Sequence, residues 1–184
     1  MNMAGKQLAE KVEVIEVPVI GLPFAGGFFA GELALDGERY ALVVAPKAKG
    51  EKLKLEYKKK SLGTSDGTDN DDDGLSNSER INNANHPAAQ FCRSLKIGGF
   101  DDWYLPSRDE LMRIWMGLGP NRKNTPVLFK AGGAEAFEDC WYWSSTEYAS
   151  FSDGAWVIFF SGGGQTNGNK FYKFGVRAVR RLKI

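Results

Sequence analysis

The run Trp141-Tyr142-Trp143-Ser144-Ser145-Thr146-Glu147-Tyr148, followed by Gly154-Ala155-Trp156-Val157-Ile158-Phe159-Phe160, sets the reading of the whole chain. Strand alternation separates its second half into two sets of side chains. Trp156, Ile158 and Phe160 point one way, and Val157, Phe159 and Ser161 the other. With the first set taken as core, Val157 and Phe159 stand outward. Beside Tyr148, Phe151 and Tyr172 they form an apolar patch without structural need, which marks a binding surface. From Thr146 to Phe174, 18 of 29 residues are aromatic, Ser, Gly or Asn. Rings in such a mixture supply contact area at low entropy cost, and the small polar residues supply adaptable hydrogen bonds. A recognition surface and an ordinary glycine-rich hairpin region are the two readings this composition allows.

Downstream, Val176 to Ile184 reads as a last strand, with Arg177, Arg180 and Arg181 placed to pair with carboxylates such as Glu147. Upstream, Ser107 and Glu110 form a capping box that opens a helix. Leu111, Ile114, Trp115 and Leu118 give that helix its buried face, and Gly119-Pro120 ends it. An earlier helix starts at Pro87, the first-turn position where a missing N–H costs nothing. Its Ala88, Phe91, Cys92 and Leu95 make one apolar stripe. The lone His86 before it is read as a cap or surface residue. Before these helices lies an acidic loop in which Asp69, Asp71, Asp73, Leu75 and Asn77 take the positions of a calcium loop. Arg80 stands where the bidentate Glu belongs, so a solvated acidic turn is the competing reading.

Lys47 to Lys60 holds seven Lys against two Glu, with Leu53, Leu55 and Tyr57 alternating among them. Lysines discourage edge-to-edge pairing, so the run reads as an exposed edge strand. Phe28 to Ala45 reads as a hairpin about Asp36-Gly37, a pair suited to a tight two-residue turn. Lys11 to Ile20 alternates apolar and charged residues as a strand does, with Pro18 pushing it toward an edge.

At 184 residues and net charge +1, the chain fits one domain, or one domain with a small appendage. The division expected is a β region over 1–60 and a main domain over 61–184. Nothing in the charge argues for a nucleic-acid partner. The weakly polar run from Val17 to Gly31 falls short of a bilayer span, so no membrane insertion is expected. The start lacks the apolar segment of a secretory signal, and the chain reads as made in the cytoplasm. Cys92 and Cys140 are too few for a disulfide framework, and free thiols and a single bridge both remain open.

Four motifs in order carry a family resemblance: Asp101-Asp102-Trp103-Tyr104-Leu105-Pro106-Ser107-Arg108-Asp109-Glu110-Leu111, Tyr142 to Glu147, Ala155-Trp156, and Val176-Arg177-Ala178-Val179-Arg180. Together they resemble the legionella collagen-like C-terminal domain family over about Gly74 to Leu182. The lead-in Phe24 to Gly31 resembles the start of phage-borne members. The resemblance implies an α+β, C-type-lectin-like domain of the formylglycine-generating-enzyme type, with two helices and a mostly antiparallel sheet. Some such domains stand at phage tail tips, where diversity-generating retroelements vary the final stretch. By that likeness Trp156, Ile158 and Phe160 are scaffold. The ligand-facing set is Tyr148, Ser150, Phe151, Ser152, Asp153, Val157, Phe159, Ser161, Gln165, Asn167, Asn169, Phe171 and Tyr172.

The function expected is non-enzymatic binding of a protein or glycan ligand on a cell surface, by a phage or prophage tail protein or a retroelement-varied protein. Its location would be a virion tail, or outside the cell by another export route. A structural tail or baseplate subunit, assembling through the same face with copies of itself or with another tail protein, is the alternative. An oxidase of the formylglycine-generating kind comes last, because a reactive cysteine needs access and an activating partner. Cys92 lies on an apolar stripe, and Cys140 stands beside Glu138 and Asp139, whose charges disfavour a thiolate. No cofactor is expected apart from calcium at the acidic loop.

Overall fold

The computed structural model describes residues 15–59 and 67–184. Among these, nine strands, four α-helices and one 3-10 turn make an α+β fold with two mostly antiparallel sheets. The first sheet has the order β1 (Pro23–Phe24), β2 (Gly27–Leu35), β3 (Glu38–Val44) and β9 (Val179–Lys183). The second has the order β4 (Glu51–Glu56), β8 (Lys173–Arg177), β5 (Trp141–Glu147), β6 (Gly154–Phe159) and β7 (Gln165–Asn169). β5 and β8 run parallel; the other pairs are antiparallel.

The hairpin expected about Asp36-Gly37 forms. Both residues take positive φ, 51° and 79°, as the two central positions of a type I′ turn require. Helix α3 (Pro87–Arg93) has His86 as N-cap and Pro87 in its first turn. Helix α4 (Arg108–Leu118) opens with both hydrogen bonds of the Ser107–Glu110 capping box. Two further helices were not expected. These are the single turn α1 (Lys47–Gly50) and α2 (Gly74–Arg80), which begins inside the acidic loop. The lysine-rich segment becomes an edge strand, β4, only from Glu51 onward. Of the strand expected over Lys11–Ile20, Lys11–Val14 lie outside the described residues and Ile15–Val19 take no strand.

The last strand is two. Residues 173–183 run through β8 in one sheet and β9 in the other, changing sheets at Ala178. There Ala45 N–H donates to the Ala178 carbonyl, and Ala178 N–H donates to that of Gly50, each at 2.9 Å. β3, from the first third of the chain, pairs with β9, so the early hairpin and the end of the chain share one sheet.

Both faces of the β5–β6 pair are buried. Trp143, Ala155 and Val157 pack in one core with Ile81 and with Ala88, Ala89 and Cys92 of α3. Tyr142, Ile158 and Phe160 pack in the other with Leu111, Ile114 and Leu118 of α4. A fully buried ring withdraws on the order of 150–250 Å² from water, worth about 4–6 kcal/mol. Trp143 and Tyr142, on opposite faces of one strand, therefore pin the sheet from both sides.

Candidate binding surface

The antiparallel register sorts the expected ligand-facing residues by face. Trp156 lies opposite Asn167 and Ile158 opposite Gln165, whereas Val157 lies opposite Thr166 and Ala155 opposite Gly168. Directly opposed residues share a face, so Gln165, Asn167 and Asn169 point with Trp156 and Ile158, away from Val157 and Phe159. Val157 is 1 % exposed. Its expected outward position is corrected: the helices α2 and α3 cover that face, and Val157 is core. Phe159 is half-buried, its ring 5.2 Å from that of Trp141. Ile158 and Phe160 are scaffold as expected. Trp156 is half-buried, between the Tyr148 ring at 4.9 Å and the Arg108 guanidinium at 5.1 Å.

The outward rings lie at one end of the five-stranded sheet. Gly154 pairs with Asn169, and Lys170 N–H donates to the Asp153 carbonyl at 2.8 Å. These contacts set the turn 148–153 beside the turn 170–172. Phe151, Phe171 and Tyr172 are 47 %, 49 % and 52 % exposed on them. Phe171 and Tyr172 meet edge to face at 5.1 Å. Ser150 and Ser152 are exposed nearby, and Tyr148, Asp153 and Asn169 are half-buried. The Phe151 ring lies against Gly154, where an added Cβ would come within 3.2 Å of it.

The turns rest on a buried polar base that sequence reasoning missed. Lys170 and Glu147 form an ion pair at 3.1 Å, with side chains 3 % and 9 % exposed. The Lys170 ammonium also donates to the Ser152 carbonyl at 2.6 Å, tying one turn to the other. Burial lowers the Lys170 pKa, and the Glu147 carboxylate opposes that shift. Glu147 also accepts from the Thr68 hydroxyl at 3.4 Å. Tyr57 OH donates to the Ser145 carbonyl at 2.9 Å. Glu147 was expected to meet an arginine of the last strand. Instead Arg177 pairs with Glu135 and Glu51, Arg180 with Asp102, and Arg181 with Asp73. The one signal in the sequence was the position of Lys170, the first cation past a neutral strand.

Ser161 and Gln165 lie at the other end of β6 and β7. A six-residue strand (Gly154–Phe159) spans about 17 Å at roughly 3.3 Å per residue, so in one copy they stand apart from the aromatic turns. Ser161 accepts from Asn121 Nδ2 at its carbonyl and its hydroxyl. A groove of about 850 Å³ lined by Val19, Ile20, Leu22, Met116 and Thr125 contains none of the expected ligand-facing residues.

The acidic loop is organised by arginines. Asp73 caps α2 by accepting from Ser76 N–H at 2.9 Å and pairs with Arg181 at 2.7 Å. Asp71 pairs with Arg108 at 2.9 Å. Asn77 is buried and donates to the Asn70 carbonyl at 2.7 Å, Leu75 packs against the core that holds Tyr104, and Asp69 is exposed. The calcium loop expected over Asp69, Asp71, Asp73, Leu75 and Asn77 is thereby corrected. Asp73 sits at the start of a helix with its charge met by Arg181, and no three acidic, His or Cys side chains converge among the described residues.

Both cysteines are free thiols. Burial pushes Cys92 far above the usual thiol range, and burial with the Glu51 charge holds Cys140 at about 11. His86, the cap of α3, is buried against the Tyr57 ring with Nδ1 3.0 Å from Asn83 Oδ1.

Residues 53–180, well over half of the chain, match the model of the Lcl C-terminal domain. The chain belongs to that family. The matched region takes in both aromatic turns and their Glu147–Lys170 base, so the candidate surface lies inside the family domain. Among solved structures, the chain is similar to a fimbrial protein from Bacteroides ovatus ATCC 8483. The two are 15 % identical, with a TM-score of 0.49 over 76 % of this chain and 35 % of that one. No curated protein matches the chain. No helix among the described residues is long and apolar enough to cross a membrane.

Proposed function

We propose that this member of the Lcl C-terminal domain family is a non-enzymatic binding protein. Its ligand, a protein or glycan on a cell surface, meets the end of the sheet built by the turns 148–153 and 170–172. The observation that carries this is the cluster of Phe151, Phe171 and Tyr172, each about half exposed on adjoining turns. Burial of large rings is worth kilocalories to a fold, and holding three of them in water on a rigid polar base suits a partner's surface. The ligand-facing set narrows to Tyr148, Ser150, Phe151, Ser152, Asp153, Asn169, Phe171 and Tyr172. Val157, Phe159, Ser161, Gln165 and Asn167 leave it.

In this reading the domain is a C-type-lectin-like scaffold displayed on a phage or prophage tail or as a retroelement-varied protein. Variation is then expected in the two turns and absent at Val157. The absence of catalysis in this reading is supported by two thiols held protonated near neutral pH and a histidine occupied by Tyr57 and Asn83.

The test is the double variant Phe151→Ala, Tyr172→Ala, compared with the native protein for capture by intact bacterial cells and by a printed glycan array. Surface changes away from packing features shift stability by about 0.5 kcal/mol or less, so Tm should barely move while capture is lost. Capture that survives in the folded variant, or unfolding of the variant, overturns the reading. The assembly alternative is favoured by a separate observation, the edge of β7, which no strand among the described residues pairs.

A further inference from the structure

We infer that the edge of β7 pairs antiparallel with β7 of a second copy of this chain, about a two-fold axis at Asn167. The ladder between β6 and β7 fixes which backbone groups are open. Phe159 N–H donates to Gly164 and Lys170 N–H to Asp153, each at 2.8 Å. Hydrogen-bonded pairs recur at every second residue of an antiparallel ladder, so Ala155–Gly168 and Val157–Thr166 are the bonded pairs between them. Gln165, Asn167 and Asn169 then turn their N–H and C=O groups away from β6, toward an edge that no strand among the described residues pairs. The Asn169 carbonyl already accepts from Tyr172 N–H at 2.8 Å.

Sheet edges are ordinarily blunted by Pro or by charge. Among the described residues, β1 carries Pro23, β4 carries Lys52 and Lys54, and β9 carries Arg180, Arg181 and Lys183. β7 carries none of these, and Ser161 to Asn169 has no charged residue at all. What it has is self-complementary. With Asn167 opposite its own copy, Gln165 stands opposite Asn169 of the second copy and Thr166 opposite Gly168. Amide side chains meet amide side chains on one face, and a small residue meets a hydroxyl on the other. The same register carries the glycine turn, where Gly162 and Gly164 have open space beside them, to the exposed rings of Phe171 and Tyr172 of the second copy. An interface of this kind is isologous and closes as a dimer, forming one continuous ten-stranded sheet from two five-stranded ones.

One consequence rests on the ligand-face reading. Ser161 and Gln165, distant from the aromatic turns of their own copy, come to lie beside those of the other. Each binding surface is then composite.

The dimer is tested without any ligand, by sedimentation and light scattering of the full chain across a concentration series. The expected result is a mass that doubles with rising concentration, and a return to the monomer mass in Asn167→Lys, which sets two like charges at the axis. In a Cys140→Ser background, Asn167→Cys should form an intermolecular disulfide under mild oxidation, because bonded antiparallel pairs bring Cα atoms to about 5.5 Å. Gln165→Cys alone should not, but should cross-link when mixed with Asn169→Cys. A native monomer at all concentrations overturns the proposal. So does an oligomer that persists in Asn167→Lys, or Asn167→Cys chains that stay uncross-linked. Capture by cells, measured separately, can fail while the dimer stands, and the reverse.

Discussion

The two edges of the five-stranded sheet answer the same hazard in opposite ways. At β4, two exposed lysines stand on the open edge, with Lys58 and Lys59 just beyond. At β7, the residues are amides, a hydroxyl and one buried glycine, with no charge among them. Yet the chain leaves the two strands toward one place. Lys58 N–H donates to the Lys170 carbonyl at 3.0 Å, and the Lys170 ammonium lies 5.6 Å from the Tyr57 ring. Edge identity is thus independent of what anchors a strand's end. One edge repels a neighbour and the other invites one, over a shared buried base.

The largest expected effect breaks that base. Glu147→Ala deprives the buried Lys170 ammonium of its carboxylate, and removing one partner of a buried pair costs about 3–5 kcal/mol. Urea unfolding should show that loss, and capture by the aromatic turns should fall with it. Next comes Gly168→Val. An added Cβ there would meet Phe174 at 2.6 Å and Trp143 at 3.0 Å, and overpacking of this kind costs about 1–3 kcal/mol. Gly164→Val, on open space beside the same strand, should be tolerated in a parallel melt.

A pH profile separates the base from the helix cap beneath the other core. Burial, with the charges of Lys58 and Lys170, holds His86 at about 4 instead of 6.5. The native state thus binds fewer protons there than the unfolded chain. The stability His86 contributes is present above pH 6.5 and lost as pH falls through about 4. Burial raises Glu110 from 4.5 to about 7, against hydrogen bonds from Tyr104 and Ser107. Its contribution is present below pH 4.5 and lost as pH rises through 7. Glu110→Gln should therefore make stability climb more steeply from pH 4 to 6.5 than in the native protein, and His86→Asn should flatten the climb. The smallest effect on stability belongs to the β4 edge. Lys52→Val with Lys54→Val should leave Tm within the change of about 0.5 kcal/mol typical of surface sites while light scattering reports association.

Local chemistry was legible from the sequence wherever it acted within a few residues. The capping box at Ser107, Pro87 in a first turn and the Asp36-Gly37 hairpin form as read, and the lysine-lined edge forms over Glu51–Glu56. The error at Val157 has a physical origin. Ala155 to Phe160 is a nearly continuous apolar run, and such runs belong to strands covered on both faces; alternation assumed one wet face. The Glu147–Lys170 pair joins turns 23 residues apart in sequence, and the switch of sheets at Ala178 depends on Ala45 and Gly50. Spacing along the chain encodes neither. The family resemblance put residues 150–153 and 165–172 in the ligand-facing set, and Phe151, Phe171 and Tyr172 within those spans do stand exposed. Their separation from Ser161 and Gln165 came from register alone.

The passage of residues 173–183 through both sheets has a bearing on how the molecule comes apart. Ala178 is gripped on each side, by Ala45 and by Gly50, so peeling one sheet pulls directly on the backbone of the other. The expected outcome is a single melting transition for both layers, with slow amide exchange in the early hairpin tracking that of the tryptophan-bearing strand. A fold laced this way is expected to yield as one unit, because the two layers share a single continuous backbone segment at the chain's end.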